Sequence, residues 1–282
     1  TQADVRYYIP DRVEEGYSLN MKAIDKIKAN GTSLIITVDC GSSDTDEIAY
    51  ANSLGIDVIV LDHHEVPATL PRATAIINTN RSDCRFPFKE LAGVGIVFNF
   101  LIALRSKLRD EGFWSQTAYP NLKEYLDLVA LGTIGDISPL ADENRIFTRI
   151  GLELINKGNR VGLKALMSAC GIDSSLDSII ASFTLIPRIN AAGRIASPED
   201  SIRLLLTDNP AEAAAIARKL DSYNRERQSL EKVILAEALS SIEDFEGSSR
   251  QPAFILSSPK WHPGVIGIVA SKLVDIYYRP VM

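Results

Sequence analysis

The sequence predicts an α/β protein built on a parallel sheet, with a long helix in the later part of the chain. Three observations carry this. Two apolar, β-branched runs, Leu34 to Val38 and Ile56 to Leu61, are separated by a helical stretch from Asp44 to Leu54 and a stop at Gly55. Continuous apolar strands of this kind belong to parallel sheets covered on both faces. Each run ends abruptly in polar residues, Asp39-Cys40-Gly41 and Asp62-His63-His64, and open parallel sheets place their sites beyond the carboxyl ends of such strands. Finally, Pro210 to Ile242 is the longest helical pattern in the chain, with Ala213, Ile216, Leu220, Tyr223, Leu230, Ile234 and Leu235 near a 3.6-residue period.

In order, Val5 to Pro10 reads as a strand, followed by a loop that carries Arg12. Met21 to Lys28 is a short helix stopped by Asn30-Gly31. The two apolar strands and the helix between them form one βαβ unit, whose crossover is right-handed in nearly all proteins. Asp39 and Asp62 therefore end neighbouring or nearly neighbouring parallel strands on the same edge of the sheet. Ala75 to Asn78 is a further strand. Leu91-Ala92-Gly93-Val94-Gly95 opens an apolar helix, Ile96 to Leu108; its glycines serve close packing or leave a helix N-terminus open to an anion. Leu122 to Leu131 is a helix leading into Gly132 to Leu140, and a further helix lies near Asn144 to Asn156. The long helix is interrupted by Asn224 to Gln228, Gly247-Ser248-Ser249 breaks the chain, Ala253 to Leu256 starts a strand, and Val265 to Ile276 is the last helix.

At 282 residues, 46% of them hydrophobic, the chain can hold one large or two ordinary domains around a substantial core. No apolar run approaches the ~20 residues that span a bilayer, and the start lacks the basic end and apolar core of a signal peptide. Cys40, Cys84 and Cys170 are odd in number and far apart, which indicates neither a disulfide framework nor a CxxC site and fits a reducing cytoplasm. A net charge of -6 argues against a generally basic coat. A local basic groove stays open, because counterion release depends on the charges at the contact.

Two of the three histidines, His63 and His64, follow Asp62 directly. Neighbours on an extended segment point to opposite sides, so one imidazole can hold a metal ion while the other faces a substrate anion; a histidine-rich surface turn is the plainer reading. Asp136 lies in an apolar, glycine-flanked segment where an unpaired carboxylate is costly to bury, which suggests a metal ion as its partner. Helix capping would account for Asp39 or Asp62 singly more comfortably than for both. Carboxylates and imidazoles without a thiolate suit Mn²⁺ or Mg²⁺ better than structural zinc. Two such ions about 3.5–4 Å apart are the arrangement for in-line attack on a phosphate. Asp39, Asp62, His63, His64 and Asp136 are few for two ions, and at least one more carboxylate is expected.

These residues make a specific resemblance. Asp62-His63-His64 resembles the name-giving motif of the DHH phosphoesterase superfamily, Val38 to Gly41 its second motif, and Gly132 to Leu140 its fourth. Within the superfamily the chain resembles the RecJ family of single-strand-specific 5′→3′ exonucleases at Tyr8 to Tyr17, Leu91 to Gly95, Pro187 to Arg194, and Trp261 to Ala270. The resemblance implies a DHH phosphoesterase domain at 1–209, a connecting helix at 210–244, and the start of a DHH-associated substrate-binding domain at 250–282. It also implies an Asp-x-Asp pair on a strand some tens of residues before Tyr7 and a glycine-rich motif beyond Met282, so that the chain is expected to be a central fragment with an incomplete metal site.

By the same resemblance, two Mn²⁺ or Mg²⁺ ions are the cofactors and Asp39, His63 and Asp136 their ligands. His64 contacts the scissile phosphate or an ion, and Asp62 orients an imidazole. Arg188, Asn190, Arg194 and His262 contact the nucleic acid. Arg188 and Arg194 bracket small residues that let a strand approach, and a guanidinium suits a pair of phosphate oxygens; ordinary salt bridges are the alternative. His262 suits a phosphate at the N-terminus of its helix or a cap, Trp261 suits packing, and Arg225 and Arg227 face either the strand or solvent. The implied substrate is single-stranded DNA, cut to mononucleotides in recombination and repair, with single-strand-binding protein and a recombination helicase as partners. The rival readings are a DHH enzyme for short oligonucleotides or cyclic dinucleotides, and a non-catalytic scaffold at replication forks.

Overall fold

The structure is a computed structural model that describes residues 3–12, 14–114, 119–243 and 251–282. Val13 and the Gly247-Ser248-Ser249 break lie outside the described residues. Along the chain come α1 (Met21–Ala29), β1 (Leu34–Val38), α2 (Thr45–Ser53), β2 (Asp57–Leu61), β3 (Ala75–Ile77) and α3 (Gly93–Asp110). A 3₁₀ turn (Leu122–Tyr125) precedes α4 (Leu126–Gly135), α5 (Asp142–Asn156), α6 (Val161–Ala169), the short α7 (Ser178–Ile180) and a π-helical turn (Ala181–Leu185). The rest is helical: α8 (Ile186–Ile195), α9 (Glu199–Leu206), α10 (Pro210–Glu243) and α11 (Pro263–Tyr277).

These elements form two compact units, one of Thr1–Pro10, Tyr17–Asn159 and Ser174–Ile186, the other of Asp11–Gly16, Arg160–Asp173 and Pro187–Met282. The first holds a parallel sheet in the order β1-β2-β3, with Val38 opposite Leu61 and Leu61 opposite Ile77. The α/β parallel-sheet class and the βαβ unit are thus as the sequence predicts. One side of the sheet packs Ile35, Val58 and Val60 against Ile24 of α1 and Ile48 and Ala51 of α2. The other brings Leu61 against Phe88, Leu91 and Ile96. Each fully buried aliphatic side chain here contributes about 1.5–3 kcal/mol, enough to hold the strand ends in register. The α1 helix begins where the Asn20 side chain accepts the Ala23 N–H, at 2.8 Å.

The second unit is organised on α10, a continuous helix of 34 residues. Its first half buries Ala213, Ile216, Ala217 and Leu220 against α6 and α9. Its second half buries Ile234, Ala238 and Ile242 with Val265, Val269 and Leu273 of α11.

Several expectations change. Val5 to Pro10 forms no strand: Val5, Tyr7 and Ile9 alternate as a strand would, but all are exposed, and no neighbouring strand among the described residues completes a ladder. Asn224 to Gln228 does not interrupt α10, because Arg227 bonds Asn224 and Glu231 along the helix. The expected strand at Ala253 to Leu256 is reduced to one parallel bridge, Phe254 with Val281. The helix expected to end at Leu131 runs on to Gly135. The two compact units interleave along the chain, with α6 and α9 packed on the first half of α10 and α11 on its second.

Candidate metal centre

The centre lies at the carboxyl edge of the sheet, where β1 and β2 end side by side. Past Val38 the ladder takes one more bond, from the Asp39 N–H to the Leu61 carbonyl at 2.8 Å. Asp39 then turns into the left-handed region, φ 64°, a conformation that costs most residues on the order of 1–2 kcal/mol and aspartate less. Gly41 follows at φ 110°, where an added Cβ would sit 2.5 Å from Thr37 Oγ1. This turn carries the Asp39 carboxylate over the end of β2.

Asp62 is 2% exposed and organises the second segment. Its Oδ1 accepts the main-chain N–H groups of His63 at 2.8 Å and His64 at 3.2 Å, and lies 2.7 Å from His64 Nδ1. Its Oδ2 accepts the Ser42 N–H at 3.0 Å. Burial pushes the Asp62 pKa up, but the bonds from His64 and Ser42 outweigh it and hold the carboxyl below the usual aspartate value. A charged carboxylate therefore clamps the turn and directs the His64 ring.

The imidazoles lie with centroids 4.7 Å apart, their planes tilted by 56°. His63 is turned inward and His64 outward. His63 Nε2 is 3.0 Å from Asp39 Oδ1 and 3.8 Å from Asp136 Oδ1. It is buried, yet no partner meets it in hydrogen-bond geometry. The Asp39 carboxylate raises the His63 pKa; burial opposes this, and the Asp136 charge adds to it. Ligand atoms of Asp39, His63 and His64 all fall within 4.8 Å of one another. Asp136 caps the carboxyl end of α4, where Ser138 Oγ donates to its Oδ2 at 2.6 Å. Burial pushes the neighbouring Cys40 thiol up to about 11, so it is protonated and non-nucleophilic at neutral pH.

Besides His64, the residues expected to touch nucleic acid, Arg188, Asn190, Arg194 and His262, belong to the second unit. Arg188 Nε donates to Asp221 at 2.8 Å in a largely buried pair, and Asp221 also takes Arg225. The ordinary-salt-bridge alternative thus describes part of the Arg188 guanidinium. Asn190 is exposed on α8. His262 caps α11, with Nδ1 accepting the Gly264 N–H at 3.1 Å. Trp261 packs with its Nε1 donating to Glu237, 2.7 Å away. Arg194, Arg12 and His262 line one cavity of about 180 Å³ with Gly193 and Asp11. Burial, then the charges of Arg12 and Arg227, push the Arg194 pKa below the usual guanidinium value, while Glu231 opposes them. Arg12, within Tyr8 to Tyr17, lines this cavity although the resemblance assigns it no contact.

Comparison with known proteins agrees with this geometry. The model of the DHH family, N-terminal domain, matches residues 1–133. The single-stranded-DNA-specific exonuclease RecJ of Salmonella typhimurium is 45% identical over 285 residues, covering 99% of this chain and 49% of that protein. The chain thus spans about half the length of the curated relatives it resembles in this way. A crystal structure of exonuclease RecJ bound to manganese superposes with a TM-score of 0.85 at 36% identity, covering 99% of this chain and 67% of the other. RecJ of Thermus thermophilus superposes with 0.79 in complex with Mn²⁺, at 34% identity over 93% of this chain and 37% of the other. In complex with Mg²⁺ it superposes with 0.65, at 31% identity over 93% and 42%. With its Asp-His-His turn at the edge of a parallel sheet and this likeness over nearly its whole length, the chain belongs to the RecJ family of DHH proteins.

Proposed function

We propose that this chain carries the catalytic metal centre of an exonuclease that hydrolyses single-stranded DNA from the 5′ end and releases mononucleotides. The observation that supports this best is the convergence of Asp39, His63 and His64, with Asp136 beside His63, at the ends of two adjacent strands. The donor set fits a divalent ion. A buried imidazole nitrogen without a hydrogen bond stands between two carboxylates, as ligands do around a common point. Nitrogen and oxygen donors without thiolate suit Mn²⁺ or Mg²⁺, and RecJ structures carry both.

Asp39, His63 and Asp136 would hold such ions. Bound there, the ions lower the pKa of water and neutralise charge on the phosphate. Asp62 takes His64 Nδ1 and fixes the ring, so that Nε2 is offered to the scissile phosphate or to an ion. In the second unit, Arg12 and Arg194 line one partly buried cavity together with Asp11 and Glu14; a DNA phosphate is the partner we assign to these guanidiniums. Asn190, His262 through Nε2, and Arg188 beside its pairing with Asp221 would add contacts along the strand. Kinship alone supports the wider setting, namely recombination and repair in a bacterial cytoplasm with single-strand-binding protein and a recombination helicase as partners.

The test is hydrolysis of 5′- and 3′-labelled single-stranded DNA with Mn²⁺ by a form extended to the length of the relatives. The expected result is mononucleotide release from the 5′ end, abolished by Asp136→Ala. Turnover confined to oligonucleotides of a few residues would overturn the polymer reading. DNA binding without any hydrolysis would overturn the enzymatic one.

A further inference from the structure

We infer that Asn78 is a positioning residue of this metal centre, the side chain that locks the Asp39 loop and the His63–His64 turn to one another. The inference rests on the metal-centre reading above. The main-chain ladder ends with the Asp39 N–H on the Leu61 carbonyl and the Asp62 N–H on the Ile77 carbonyl. The loop after Asp39 and the histidine pair lie beyond it, so side-chain bonds have to fix these segments to one another.

Asn78 follows β3 and is 2% exposed. Its Nδ2 donates to Ser42 Oγ at 2.9 Å and to the His64 carbonyl at 2.9 Å. Its Oδ1 accepts the Asn80 N–H at 2.8 Å. Asn80 in turn donates from Nδ2 to the His63 carbonyl at 2.6 Å. One buried amide thus bonds the loop after Asp39, the histidine turn and its own segment, and both of its hydrogens are engaged. Ser42 closes the ring, because its N–H goes to the Asp62 carboxylate that clamps both histidines. Only an asparagine of this size provides two donors and an acceptor here. An aspartate would turn a carboxylate oxygen on the His64 carbonyl, which has no proton to give.

The test measures Mn²⁺ affinity by titration calorimetry and the Mn²⁺ electron paramagnetic resonance line shape in the full-length protein. The variants are Asn78→Asp, Asn80→Ala, and a control, Ile24→Val, which lowers core packing between α1 and the sheet. Outer partners of metal ligands alter affinity by about 10–100-fold. Asn78→Asp is expected to weaken Mn²⁺ binding at least about 10-fold and to change the line shape. Asn80→Ala, which frees only the His63 carbonyl, should do so more mildly, while Ile24→Val lowers the melting temperature and leaves both readouts as in the wild type. Wild-type affinity and line shape in Asn78→Asp would overturn the inference. Should that variant not fold, unchanged readouts in Asn80→Ala would overturn it equally. Absence of saturable Mn²⁺ binding by the wild type itself would overturn the metal-centre reading, and this inference with it.

Discussion

Gly93 stands where any side chain would strike Asp39: a Cβ placed on it would overlap Asp39 Oδ1 and fall 2.9 Å from the carboxyl carbon. Gly93 is the first residue of α3, so the helix start and the carboxylate at the end of β1 share one narrow space. The sequence leaves open whether the glycines of Leu91 to Gly95 serve packing or an anion at the helix N-terminus. For Gly93 the answer is packing, against a candidate ligand.

Gly93→Ala should therefore act on the site far more than on the fold. The short Asp39 side chain has to rotate or retreat, and a displacement of about 1 Å at a reacting centre can cost on the order of 10²-fold in rate. Stability should stay within about 1 kcal/mol, because alanine is a better helix former than glycine and offsets part of the local strain. Thermal denaturation and single-turnover hydrolysis, measured on the same preparation, separate the two effects. A rate within about threefold of wild type, well short of that 10²-fold, would show that Asp39 is not confined as described.

How much of this was legible in the sequence follows from where each feature's cause lies. Leu34–Val38 and Ile56–Leu61 stood out because a buried parallel strand needs apolar residues on both faces, and that cause is local. Val5 to Pro10 has strand-like alternation but gains no ladder, and neighbours in space, not the segment, decide that. In Pro187 to Arg194 the arginines stand out in the sequence, while the proline hides the helix. Here α8 forms with Pro187 as its second residue, directly after the π-helical turn Ala181–Leu185 and Ile186; that turn already departs from the regular α-helical ladder where the proline lacks an N–H to give. Asp39, His63 and Asp136 could be named as candidates by residue type, whereas Asn78 could not. A buried amide is chosen by its partners, and Ser42 and His64 lie 36 and 14 residues away.

Asp62 should make stability depend on acid. Its folded pKa lies below the usual aspartate value, so its contribution is present above the unfolded value of about 3.9 and is lost as pH falls through the lower folded one. Asp62→Asn keeps the shape but cannot accept all four bonds as a charged group does. A buried group left unsatisfied costs about 1–3 kcal/mol. Urea denaturation at pH 7 should register a loss of that order. The difference from wild type should narrow below about pH 4, where the wild-type carboxylate also protonates. A difference that is constant with pH would point to packing instead.

His63 should make metal binding depend on pH in the opposite sense to the metal-free protein's own stability. Its pKa is raised above about 6.5, mainly by Asp39. In the absence of metal, the stabilisation from its protonated form is fully present below that value and is lost as pH rises through the higher folded pKa. A metal ion needs the neutral imidazole, so it displaces this proton. Mn²⁺ affinity should rise with pH across the His63 pKa, with proton release detected by calorimetry in buffers of different ionisation enthalpy. His63→Ala should remove both the proton release and most of the affinity. Proton release that survives His63→Ala would assign the linkage to another group.

The arginine cavity makes a prediction that leaves the metal centre untouched. Arg12 and Arg194 line the same cavity, and the Arg12 charge helps to lower the Arg194 pKa. If a DNA phosphate binds these guanidiniums, Arg12→Ala and Arg194→Ala should each weaken single-stranded DNA binding without regard to base sequence. Each should also flatten the slope of log K against log salt by roughly 0.7 for one lost phosphate contact on a single strand. Arg194→Lys should recover charge but not the paired geometry of a guanidinium, and so restore the salt slope more fully than the affinity. Mn²⁺ affinity should be unchanged in all three variants. Two readouts have to move together here, since a loss of affinity at constant salt slope would mean that the substitution disturbed the fold around α8, whose Arg194 carbonyl lies against Gly264 of α11, and had removed no phosphate contact.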